Sequence, residues 1–161
     1  MGNDVRGLRP SLLPLLIVGC VLVPRVVSGA AGRYLATEDL AARATLVASG
    51  RVVSTTASWD ERMGRIITLA RLEIDRTWRG PELTEIDVLV FGGAVGDIVQ
   101  YVPGETRLTI DDRVLLFLRR IPGREAWRTV GMRQGCFRKW PDGRWIRDFE
   151  GLHLLGKRVP A

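Results

Sequence analysis

Apolar residues recur along this chain with three different periods, and each predicts a different element. Residues 11–23 form a nearly continuous apolar run, broken only by Ser11 and Pro14. Residues 37–44 read as a short helix, with Thr37 as cap, Glu38 and Asp39 at its positive end, and Leu40 and Ala44 on one face. Beyond that point the helical period disappears. Residues 45–54 are β-rich, with Gly50 placed for a bulge, and residues 59–65 form a polar connection around Gly64. Residues 66–78 return as a strand in which Ala70, Leu72 and Ile74 alternate with Arg71, Glu73 and Asp75.

Arg79-Gly80-Pro81 stops that strand, and residues 85–91 supply the next, with Ile86, Val88 and Val90 on one side. A glycine-rich loop over 92–104 follows, then a short strand carrying Leu108 and Ile110. The run Val114 to Leu118 is solidly apolar, which predicts a strand buried on both faces or lining a barrel interior. Pro122-Gly123 turns the chain into a return over 126–131. Residues 136–140 and 144–147 flank the tight-turn signal Pro141-Asp142-Gly143. Roughly six or seven short strands with one small helix predict a mainly β domain, closed or partly open as a barrel.

The first apolar run has a separate meaning. Arg6 and Arg9 precede it, Pro24 ends it, and Ser28-Gly29-Ala30 offers the small residues a signal peptidase needs. The run is short of the roughly 20 residues that cross a bilayer. Residues 1–30 are therefore expected to be a signal peptide cleaved after Ala30. Residues 31–161 then form one domain, with its core at about 37–147 and a tail at 148–161. The chain is expected in the periplasm or medium. Ile17-Val18-Gly19-Cys20 also fits a lipobox, so lipidation at Cys20 is the alternative, and only that route would bring the protein to a membrane.

After cleavage only Cys136 remains, so no internal disulfide can form. One cysteine and one histidine, His153, cannot build a zinc site. No serine lies in a Gly-x-Ser-x-Gly elbow, and Asp111 and Asp112 are adjacent, so along a strand they face opposite ways. Neither catalysis nor a cofactor or metal is expected. The chain carries a net charge of +6, unevenly spread. Residues 31–112 hold 9 basic and 13 acidic side chains, whereas residues 113–147 hold 10 basic and 2 acidic. The basic segment, with Trp127, Trp140 and Trp145 interleaved, describes either a surface for an anionic polymer or the solvated face of an ordinary sheet.

Several segments occur in a familiar order: Gly50-Arg51-Val52-Val53; Ser58-Trp59-Asp60; Trp78-Arg79-Gly80; Phe91-Gly92-Gly93-Ala94-Val95-Gly96-Asp97-Ile98-Val99-Gln100; Asp112-Arg113-Val114-Leu115-Leu116-Phe117-Leu118; and Val130-Gly131-Met132-Arg133-Gln134-Gly135-Cys136-Phe137. Over about residues 37–147 this order resembles a set of small exported bacterial β-barrel proteins whose members often sit beside secreted matrixin-type proteases. More distantly, the layout is similar to the netrin-like OB-barrel of tissue inhibitors of metalloproteinases. The resemblance implies an OB-like barrel and a role as regulator or accessory protein of a secreted protease. The inhibitors, however, chelate the protease zinc through a disulfide-tied N-terminal cysteine. Here the mature chain would begin at Ala31 or at an acylated Cys20, so those inhibitory residues do not carry over.

The function expected is accordingly that of a non-catalytic binding module for another exported protein. The candidate binding loop comprises Gly92, Gly93, Gly96, Asp97, Gln100 and Tyr101, joined by Trp59 from the neighbouring hairpin. Its glycines do not open a helix, so a phosphate cradle is not the expected reading. The alternative is binding of an acidic glycan or single-stranded nucleic acid through Arg138, Lys139, Trp140, Arg144 and Trp145. Export disfavours nucleic acid as the natural ligand.

Overall fold

The computed structural model of this chain describes residues 30–149 and 152–155. The expected signal segment, including Cys20, lies outside them except for Ala30. The described chain is mainly β. In order it contains β1 (Ala30–Arg33), α1 (Thr37–Arg43), β2 (Leu46–Asp60), β3 (Arg65–Arg79), β4 (Glu85–Phe91), β5 (Gly93–Val95), β6 (Ile98–Gln100), β7 (Arg113–Arg120), β8 (Trp127–Thr129), β9 (Cys136–Lys139), β10 (Trp145–Arg147) and β11 (Leu152–Leu155). A single 3₁₀ turn, Met132–Gly135, precedes β9.

Seven strands form one sheet in the order β10-β9-β7-β2-β3-β4-β8, and β8 also pairs with β7. Five of them, β7-β2-β3-β4-β8, therefore return on themselves as a ring. All pairings in the ring are antiparallel except β4–β8, which is parallel at Val88 and Trp127. The expected single helix is present, but its cap is Ala36 rather than Thr37. The carboxylate of Asp39 accepts the Ala36 N–H at 3.2 Å, while the Thr37 hydroxyl accepts from Arg147 at 2.8 Å.

The alternating pattern locates the core correctly. Ala70, Leu72, Ile86, Val88 and Val90 enter one cluster with Leu46, Val52 and Leu108. The run in β7 is buried on both faces as expected. Val114, Leu116 and Leu118 fill that main cluster, while Phe117 packs with Leu35, Leu40 and Val47 beneath α1. Gly50 sits where a Cβ would lie 2.0 Å from the Glu73 carbonyl oxygen, so this close strand approach excludes a side chain. The ladder shifts register beside it.

Four expectations need correction. The strands are not all short, because β2 and β3 each run 15 residues. Register shifts along β2 let it coil far enough to pair with β7 at one end and β3 throughout. The connection between them therefore shrinks to residues 61–64. Leu108 and Ile110 do not form a strand. Asp112 instead accepts the Thr109 N–H at 2.8 Å, and Asp111 adopts φ 71°, which turns the chain. The glycine-rich segment is not wholly loop, since β5 and β6 make a small hairpin across Gly96-Asp97. The tail contributes β11, which pairs in parallel with β1.

Candidate functional site

The β5–β6 hairpin leaves β4 at Gly92 and folds over the tip of the β2–β3 hairpin. Gly92 and Gly93 have φ of 91° and 136°. A Cβ at Gly93 would lie 2.4 Å from the Thr68 hydroxyl and 3.1 Å from the Ala57 methyl. These glycines serve backbone approach and left-handed geometry, as the absence of a following helix suggested. Side-chain contacts then fix the segment. Thr68 donates to the Gly92 carbonyl at 2.7 Å, and the Gln100 side-chain oxygen accepts the Ile66 N–H at 2.7 Å.

Gly92, Gly93, Gln100 and Tyr101 thus line one cleft of about 280 Å³, with Phe91, Leu108 and Glu105 among its walls. Gln100 is committed to holding the hairpin. Tyr101 is half exposed, with the Arg107 guanidinium 4.9 Å from its ring centre. Glu105 is only 3% exposed; its carboxylate accepts from Thr106 N–H at 3.0 Å and pairs with Arg128 at 3.1 Å. Gly96 and Asp97 occupy the turn and stand outside the cleft lining. Trp59 is half exposed on β2 and, by strand alternation, shares the face of Ala57 that the hairpin covers.

Sequence reasoning missed the most exposed part of this rim. Ile98 and Val99 are 63% and 77% exposed. Two β-branched residues immediately after Gly-Asp are a hairpin signal, and a three-residue strand cannot bury both of its faces. Val99 and Tyr101 line the cleft, while Ile98 turns to the opposite face of the same short strand.

The basic segment has a different character. Arg113, Arg124, Arg128 and Arg138 pair with Asp75, Asp60, Glu105 and Asp112 of the acidic half, at 3.2, 2.6, 3.1 and 2.7 Å. Arg133 pairs with Asp148, and Arg144 with Asp142. The charge split along the sequence is therefore largely neutralised in space. Trp127 is buried in the main core, so it is not part of any polymer surface. Arg138, Lys139 and Trp140 do border an open groove of about 610 Å³, but Asp111 and Asp112 border it too. Trp145 is half-buried on β10.

Arg138 and a Thr109 N–H hold the Asp112 carboxyl below its usual range, overcoming the burial that would raise it. Asp60 is lowered chiefly by its hydrogen bond from Arg124. Both carboxylates stabilise the fold above the usual carboxylate range near 4 and lose that contribution as pH falls through their lowered values. Burial pushes the Cys136 thiol up to about 12, which leaves it protonated and non-nucleophilic at neutral pH. Asp111 and Asp112 do diverge, toward Arg51 and Arg138 respectively, although in a turn rather than a strand. The side chain of His153 lies outside the described residues.

Comparison of the chain with protein-family models, curated proteins and solved structures gives no match.

Proposed function

We propose that this chain is an exported, non-catalytic binding module in which an OB-like, netrin-like barrel presents the β5–β6 rim to another exported protein. The observation that carries this reading is the exposure of Val99 and Tyr101 in the wall of a preformed cleft, with Ile98 exposed on the other face of the same hairpin. Exposed apolar groups clustered on a braced hairpin are what a protein-binding surface needs, since a few buried anchors supply most of the affinity. The ring order, with its one parallel pair, supports the OB-type barrel, and rims of such barrels carry their binding loops. A secreted protease is the partner class that the resemblance suggests.

Polymer binding is the weaker reading because six of the ten basic side chains in residues 113–147 already face carboxylates. The test compares binding of the protein partner with binding of heparin and single-stranded DNA. Val99→Asp and Tyr101→Ala should each weaken the partner complex by about 10- to 100-fold, as loss of a central anchor does. Lys139→Glu with Arg144→Glu should leave it within about threefold, the scale of an exposed charge. Polymer binding should be weak and vanish near physiological salt. Tight polymer binding that survives high salt and requires Trp140 or Trp145 would reverse this ranking.

Export itself is checked by intact mass. The processed protein should begin at Ala31. A diacyl or triacyl group on Cys20 would replace that assignment with a lipoprotein, and an unprocessed N-terminus would refute both.

A further inference from the structure

The outer edge of β2 changes character halfway along. From Leu46 to Arg51 it pairs with β7, and Val52 exchanges hydrogen bonds with Asp111 and Asp112. From residue 53 to 59 its only strand partner among the described residues is β3. The direction of the free backbone groups follows from Ile66. Its carbonyl accepts the Gly92 N–H at 2.8 Å and its own N–H donates to Gln100 at 2.7 Å, so both point away from β2. The Trp59–Ile66 pair is therefore a non-hydrogen-bonded one. By alternation Thr55, Ala57 and Trp59 all turn N–H and C=O outward.

Natural edge strands are usually blunted by lysine, proline or a cover. This one is not. Residues 53–59 (VSTTASW) contain no charge and no proline, in a chain of net charge +6. Ser54, Thr56, Ser58 and Trp59 are exposed along it.

We propose that two copies of this chain join edge to edge through β2, antiparallel about a two-fold axis at Ala57. That register pairs Ala57 with Ala57, and Thr55 with Trp59 of the second copy, in both directions. Every outward N–H and C=O of those residues then meets a complementary group. It also sets each tryptophan against a β-branched threonine, a favourable cross-strand pair, and places no like charges opposite one another. Arg62 falls opposite Val52, Glu61 opposite Val53 and Asp60 opposite Ser54. A two-fold contact of this kind is self-complementary and closes at two copies. The β5–β6 hairpin packs on β2 near Ala57, but the contact is made by the outward backbone groups of β2 and does not rest on the binding function proposed for the rim.

The processed protein should sediment as a dimer at about 100 µM, the range suited to a small, weak interface. Ala57→Pro removes one outward donor while sparing the β3 ladder, because the N–H at that position is not part of it. That variant should keep its circular dichroism and sediment as a monomer. Thr56→Lys places like charges across the axis and should do the same, and it decides the matter if the proline variant misfolds. In the unchanged protein, amide exchange at Thr55, Ala57 and Trp59 should slow as concentration rises. Val99→Asp should remain dimeric. A monomer at about 100 µM, or a folded variant of either kind that still dimerises, would overturn the proposal.

Discussion

Replacing Leu116 by Ala should lower the unfolding free energy by about 2–5 kcal/mol, a large share of the roughly 5–15 kcal/mol that holds a domain together. Leu116 is fully buried at the centre of β7, between Ala48 of β2 and Cys136 of β9. The small neighbours on both sides are held by ladders, so the strands cannot move inward to fill the space. Ile110→Ala is the matched control. It removes a side chain of similar size from a turn where 57% of it is exposed, and should cost less than about 0.5 kcal/mol. Urea titration followed by tryptophan fluorescence reads both. A Leu116→Ala cost inside experimental error would mean that the apolar run of β7 is not the core.

Glu105→Ala should cost about 3 kcal/mol, at the low end of the range for removing one partner of a buried ion pair. The carboxylate is nearly inaccessible, whereas a quarter of the Arg128 side chain reaches solvent and can recover some hydration. Its loss leaves the Thr106 N–H unpaired and frees the guanidinium that lies 4.0 Å from the Phe91 ring centre in the cleft wall. Glu105→Gln should be milder, because an amide oxygen still accepts from Thr106. A double-mutant cycle with Arg128→Ala isolates the coupling. Coupling below about 0.5 kcal/mol would put this pair with ordinary surface ion pairs and remove it as the brace of the cleft.

These two residues mark what could and could not be read in advance. Leu116 was legible because burial of a strand writes itself into local composition, and an uninterrupted VLLFL has no solvated side. The same logic found the inward row of Ile86, Val88 and Val90 and the turn at Pro141-Asp142-Gly143. Glu105 was invisible. Its partner lies across the fold, and nothing in the sequence around it distinguishes a buried carboxylate from a solvated one. The basic segment misled for the same reason: nothing along the chain shows that Asp75 and Asp60 are brought beside Arg113 and Arg124. Leu108 and Ile110 suggested a strand because alternation cannot report the Asp112 hydrogen bond that bends them into a turn. In the candidate loop, Gln100 and Tyr101 stand together in the cleft lining, but the short ladder that leaves Ile98 and Val99 uncovered depends on Gly92 turning the chain out of β4.

The ring also governs when this protein can fold. Leu46 at the start of β2 pairs with Leu118, and Val88 pairs with Trp127, so closure waits until the last third of the chain is present. Contacts so distant along the chain are slow to form, because the intervening segment must first lose its freedom. The early β2–β3 hairpin can pair locally, but on its own it leaves the face carrying Val52 and Leu72 wet. For a chain exported as proposed, that delay is useful. Such a polypeptide would stay threadable during transport and acquire its stability only once β7 and β8 had followed it across.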